Sequence, residues 1–114
     1  MIQQKIESER LKRLYPNLLP VILARSSDSD PEIDKRKYLV PHELNVHDLL
    51  HIVRKRLTLR PSEALFLFCN NTVLCGSQVI RDVHRNHNKE GFLNVTYSLE
   101  NTFGNASPPP LQNK

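Results

Sequence analysis

Val46, Leu49, Leu50, Val53 and Leu57 recur at i, i+3, i+4, i+7 and i+11, a spacing that puts them all on one face of a helix. Asn45 stands where a helix is capped, with Asp48 nearby, and Arg54-Lys55-Arg56 fall in the last turns, where positive charge suits the carbonyl end of the dipole. Such a stripe must be laid on another surface, and the flanking segments read as strands. That combination points to an α+β fold.

Leu18 to Ala24 is apolar with β-branched Val21 and Ile22, and Pro20 inside it predicts a strand at or near a sheet edge. A polar loop, Ser26-Ser27-Asp28-Ser29-Asp30-Pro31, leads to a second strand, Lys37-Tyr38-Leu39-Val40, ended by Pro41. The pair reads as a hairpin. Beyond the long helix come a strand over Leu65 to Cys69, an Asn70-Asn71 turn and a short extended Thr72-Val73-Leu74. A short helix follows over Gln78 to His87, capped by Ser77, and the last strand, Phe92 to Ser98, sets Leu93, Val95 and Tyr97 against Phe92, Asn94 and Thr96.

At the other end, the segment to Tyr15 reads as a helix with Ile2, Ile6, Leu11 and Leu14 on one side and Lys5, Glu9, Lys12 and Arg13 solvated, stopped before Pro16. Strands with a helix laid across them and further strands returning beside the first pair describe a ubiquitin-like β-grasp with an N-terminal helical extension. The main rival is a ferredoxin-like sandwich. At 114 residues one modest core is expected, with the extension over 1–15, the domain over 16–104 and a flexible tail over 105–114.

Composition bounds the function. No apolar run approaches the roughly 20 residues that span a bilayer, and the polar, charged N-terminus lacks the apolar stretch of a secretory signal. A cytosolic protein is expected, with Cys69 and Cys75 as two free structural thiols. The net charge of +4 gathers in Lys35-Arg36-Lys37 and Arg54-Lys55-Arg56, so an acidic partner fits.

The candidates for catalysis are weak. His47 and His51, four apart on the long helix, could reach one metal with Cys69 and Cys75, but these cysteines lack the close pairing usual in zinc motifs. The histidines, with His84 and His87, read as solvent-facing, and no metal or cofactor is expected. No GxSxG, phosphate-cradling loop or paired-carboxylate pattern occurs. Aromatic residues are 6% of the chain, and Phe66 and Phe68 read as interior, which leaves little for base stacking. Neither an enzyme nor a nucleic-acid binder is expected.

Asp34-Lys35-Arg36-Lys37-Tyr38-Leu39-Val40-Pro41, Ile52-Val53-Arg54-Lys55-Arg56-Leu57 and Ala64-Leu65-Phe66-Leu67-Phe68-Cys69-Asn70-Asn71 closely resemble segments of the autophagy ubiquitin-like modifiers of the GABARAP family. Tyr15-Pro16, Pro20-Val21-Ile22, Tyr97-Ser98 and Glu100-Asn101-Thr102-Phe103-Gly104 match in the same order, so the resemblance runs from about Glu7 to Gly104.

The resemblance implies a reactive terminus. An autophagy cysteine protease would cut after Gly104, with Phe103 as the neighbouring anchor; activating and conjugating enzymes would then pass the carboxylate through thioesters to the amine of phosphatidylethanolamine. A glycine suits that place, since without a Cβ it threads a narrow channel and leaves its carbonyl open to attack. The tail, with Pro108-Pro109-Pro110, is poorly suited to join a sheet or helix and should stay exposed to the protease. Two acyl chains would hold the protein on a membrane where one binds marginally.

It implies docking as well. Family members take aromatic-x-x-aliphatic peptides of cargo receptors, flanked by acids, as an added strand beside the segment matching Lys37-Tyr38-Leu39-Val40. The aromatic pocket would use Leu11, Pro20, Ile22, Lys37, Leu39 and Phe92. Tyr38, Val40, Pro41, Leu44, Leu49 and Ile52 would form the aliphatic pocket, and Lys35, Lys37 and Arg56 would meet the acids. The implied protein is a monomeric, non-enzymatic adaptor, cytoplasmic until lipidated and then on the autophagosome membrane. The alternative is an unconjugated β-grasp module that binds peptides or RNA.

The sequence also departs from the family. Met1 starts about ten residues late, where relatives carry another short helix, and the tail is longer than is common. Leu49, Leu50 and His51 stand where aromatics are frequent, and Gly91 and Asn94 replace bulkier residues. Partner preference should differ accordingly.

Overall fold

The computed structural model describes residues 2–100. Eight elements follow in chain order: α1 (Ile2–Leu14), β1 (Leu18–Arg25), β2 (Lys37–Pro41), α2 (Val46–Leu57), β3 (Ala64–Cys69), β4 (Thr72–Val73), α3 (Ile80–His87) and β5 (Leu93–Glu100). The strands make one mixed sheet, ordered β2-β1-β5-β3-β4, with β1 and β5 parallel at its centre and every other pair antiparallel. This is the β-grasp arrangement, and the ferredoxin-like alternative falls.

The core fills the space between one sheet face and the two later helices. Val46, Leu49 and Val53 of α2 and Ile80 and Val83 of α3 are buried against Val21, Leu23, Leu67, Val95 and Tyr97 of the sheet. Leu93, Val95 and Tyr97 face inward as the alternation of β5 predicts. α2 begins with a complete capping box: Asp48 N–H donates to Asn45 Oδ1 at 2.8 Å, and Asn45 N–H to Asp48 Oδ2 at 3.3 Å. It ends at Thr58, a β-branched residue in the left-handed region at φ 55°. Thr58→Gly is therefore expected to raise stability by about 0.5–1 kcal/mol, read as a higher urea midpoint with unchanged slope; an unchanged midpoint would show that Thr58 is not strained there.

Asn70 and Asn71, both at positive φ, close the two-residue β3–β4 hairpin as their type predicts. Pro20, in contrast, does not mark an edge. β1 is paired on both sides, and the bond from Leu23 N–H to the Arg36 carbonyl sets odd-numbered residues of β1 as those bonded to β2. The donor-less Pro20 nitrogen thus faces β5, whose pairing starts one residue later at Val21. α3 starts at Ile80 rather than Gln78, and Ser77 does not cap it: the N-cap position is Val79, which makes no side-chain bond.

α1 lies on the other sheet face, and not by the side its apolar residues suggest. Ile6 is 60% and Leu14 57% exposed. Ser8 is buried instead, flanked by half-buried Gln4, Glu7 and Leu11, and its hydroxyl donates to the Glu90 carbonyl at 2.7 Å. A polar residue anchors the helix because the opposing surface is the turn before β5, where a carbonyl needs a donor. Phe66, 39% exposed, and half-buried Phe68 point away from the core rather than into it, since β3 buries Leu65, Leu67 and Cys69.

Candidate docking surface

β2 is the outermost strand, so one side of its backbone is unpaired. Because Arg36, Tyr38 and Val40 bond to β1, Lys37 and Leu39 turn their N–H and C=O groups outward. Pro41 follows without a donor, which ends the available edge. The edge offers a short ladder with a defined stop.

Side chains from this edge divide between the two faces of the sheet. On the α1 side, Leu39 stands opposite Pro20 and Lys37 opposite Ile22, and the Lys37 ammonium lies 5.8 Å from the centre of the Phe92 ring. Leu11 of α1, the helix on this face, is half-buried. Pro20 and Phe92 are buried, Leu39 is 36% exposed, and the cleft is therefore floored by rigid apolar groups and open at its rim.

On the α2 side, Val40 and Leu49 belong to the core, with Tyr38 and Leu44 partly buried against it. Ile52 is half-buried on α2 and Pro41 exposed at the strand end. The Tyr38 hydroxyl is buried without a hydrogen bond of normal geometry, although the Arg56 guanidinium is close enough to act on it. Desolvation raises its pKa and outweighs the lowering effect of Arg56. Leu49, Val40 and Leu44 serve the fold as much as any pocket, so Ile52 and Pro41 are the cleaner probes of this side.

The three expected contacts for acids are not equally available. Lys37 Nζ already sits 3.2 Å from Glu7, and Arg56 pairs with Asp34 at 3.4 Å. Lys35 lies 5.2 Å over the Tyr38 ring. These pairs are exposed and worth at most about 1 kcal/mol each, weak enough for an incoming carboxylate to exchange with them. Glu7 and Asp34 are participants that sequence reasoning missed, because neither neighbour is close in the chain. Gly104, Phe103 and the tail over 105–114 lie outside the described residues.

The remaining candidates take structural places. The His47 and His51 rings meet edge to face at 4.9 Å, and no group of three or more metal-ligating side chains assembles among the described residues. His84 and His87 are half-buried rather than solvent-facing: His84 Nε2 donates to the Gly91 carbonyl at 2.7 Å, and His87 Nδ1 pairs with the Asn70 amide at 3.1 Å. Burial pushes the Cys69 thiol pKa up, away from a nucleophile's range. Cys75 is exposed, so only Cys69 is a packed thiol.

Comparison with known proteins gives a consistent picture. Residues 3–104 match a sequence model of the family described as "Autophagy protein Atg8 ubiquitin like". Autophagy-related protein 8 of Candida glabrata is 46% identical over 104 residues, covering 90% of this chain and 88% of the relative. The crystal structure of Trypanosoma brucei ATG8 superposes with a TM-score of 0.82 at 33% identity, covering 90% of both chains. Plasmodium falciparum Atg8, solved with a Plasmodium falciparum Atg3 peptide, gives 0.76 at 25% identity over 84% of this chain and 87% of that one.

Proposed function

Since the chain belongs to the Atg8 family of ubiquitin-like autophagy proteins, we propose that it is a modifier cut after Gly104, joined to phosphatidylethanolamine, and used on autophagosomal membranes to recruit cargo receptors. The single observation that carries the conjugation reading is that the family match runs to residue 104 and stops at that glycine. Proteolysis would hydrolyse the Gly104–Asn105 bond. The new carboxylate, once the activating enzyme has joined it to a nucleotide from a nucleoside triphosphate with loss of pyrophosphate, is attacked by an enzyme thiol, which expels the nucleotide and leaves a thioester; the lipid amine attacks its carbonyl, the thiol leaves, and an amide results. The protein supplies no catalytic group to these steps.

The β2 edge supports the docking half. In an extended strand, residues three apart point to opposite faces. An aromatic-x-x-aliphatic peptide added beside Lys37 and Leu39 therefore sends one anchor towards Pro20, Ile22 and Phe92 and the other towards Tyr38, Leu44 and Ile52. The relative solved with an Atg3 peptide favours a peptide of the conjugating enzyme as one occupant. The free protein is a cytoplasmic monomer in this reading, partnered in turn by the protease, the activating and conjugating enzymes, and receptors.

Intact mass spectrometry of soluble and membrane fractions tests it. Wild type should yield a soluble species ending at Gly104 and a membrane species heavier by one phosphatidylethanolamine, and Gly104→Ala should lack the membrane species. Persistence of the full chain to Lys114 in both, with no adduct, would overturn conjugation and leave an unconjugated peptide- or RNA-binding module.

A further inference from the structure

Between α1 and α3 lies a groove of about 850 Å³ that meets the docking reading only at Pro20. Its walls are α1 and α3, and its floor is Leu18, Leu19 and Pro20 at the start of β1. We propose that this groove is a second docking site, for an acidic peptide segment that carries one apolar side chain.

The charge is arranged for an anion. Lys5 and Lys12 project from one wall, two helical turns apart, and Arg81 and Arg85 from the other, one turn apart. Glu9 and Glu90 also line it, so four cations stand against two carboxylates, a formal surplus of +2 before either lining histidine is counted. Lys5 and Lys12 form no ion pair among the described residues. Among the described residues Arg81 and Arg85 pair only with Asp82, at 3.9 and 3.5 Å, and these are exposed, weak contacts. Facing rows of like charge raise each other's energy, and a bound anion relieves both. Guanidinium forks one turn apart also match carboxylates geometrically.

The apolar floor and Glu9 decide between anions. A compact polyphosphate gains nothing from Leu18, Leu19 and Pro20 and is repelled by Glu9. A peptide places an apolar side chain on that floor, sets acids against the cations, and offers backbone N–H groups to Glu9. Pro20 also stands opposite Leu39 of β2, so the two sites adjoin at that residue.

The test uses the full chain labelled with ¹⁵N and a fluorescent peptide of acid-acid-Leu-acid-acid pattern. Saturable binding is expected, with amide shifts at Lys5–Lys12 and Arg81–Gly91. Affinity should fall about tenfold in the Arg81→Glu, Arg85→Glu double variant and again when the peptide leucine becomes glycine. Lys5→Glu with Lys12→Glu gives an independent second variant, and a dispersed amide spectrum confirms that each remains folded. An aromatic-x-x-aliphatic peptide should bind all of these proteins equally, which separates this site from the β2 edge. Shifts confined to Lys37–Pro41 would overturn the proposal in favour of the edge. Indifference to the leucine, with tripolyphosphate displacing the peptide from the same amides, would overturn it in favour of a polyanion patch.

Discussion

Gly91→Ala is expected to lower the thermal midpoint by about 10–20 °C and to strip hydrogen-exchange protection from α1 first. Gly91 has φ +89°, a conformation that disfavours any side chain, and a Cβ built there meets Ser8 Oγ at 2.2 Å and Ser8 Cβ at 2.5 Å. Rotating the hydroxyl removes only the first clash, so the helix itself must lift. Backbone strain of about 1–2 kcal/mol adds to the loss of the Ser8 bond to the Glu90 carbonyl, about 1 kcal/mol. Ser8→Gly distinguishes the two terms: it removes the clashing atoms, so Gly91→Ala should cost only the strain in that background. Equal costs in both backgrounds would show that α1 does not rest on this contact.

Asp30→Ala is expected to cost about 3–5 kcal/mol of unfolding free energy, measured by urea at equilibrium. Asp30 is 6% exposed, although it sits in a polar loop of serines and aspartates. Its carboxylate accepts from Leu99 N–H at 3.0 Å, from Ser27 N–H at 3.2 Å and from the Ser27 hydroxyl at 3.2 Å. β1 pairs with β5 only as far as Arg25–Tyr97, so Asp30 continues the ladder where the strand has run out. The Tyr97 hydroxyl, donating to the Pro31 carbonyl, fixes the same loop from beneath. Alanine leaves the half-buried Leu99 N–H and the Ser27 donors without their acceptor, whereas Asp30→Asn keeps one acceptor and should lose roughly half as much. A loss below about 1 kcal/mol for alanine would mean that water replaces the carboxylate.

Much of the fold was legible because its signals are local. The 3.6-residue period of α2, the Asn45–Asp48 cap, the Asn70-Asn71 turn and the alternation of β5 each depend on residues within one or two turns of one another. The candidate docking surface came from the resemblance; in the structure Pro20, Ile22, Lys37 and Leu39 share one sheet face, while Tyr38, Val40, Leu44 and Leu49 lie towards the core on the other. What failed was long-range. Phe66 reads as interior by type, yet its strand spends the inward positions on Leu65, Leu67 and Cys69. His84 reads as solvated, yet the Gly91 carbonyl, seven residues on, accepts a hydrogen bond from its ring.

The sequence by itself determined the elements, their order and the family, because periodicity, caps and turn residues act over a few positions and the motifs are contiguous. Tertiary structure alone decided that Pro20 sits in an interior strand, that α1 docks through Ser8 rather than Ile6 and Leu14, and that Lys37 and Arg56 are held by Glu7 and Asp34. Each of those outcomes depends on which distant backbone or side chain completes a hydrogen bond or ion pair, and that partner is known only once the chain has closed on itself.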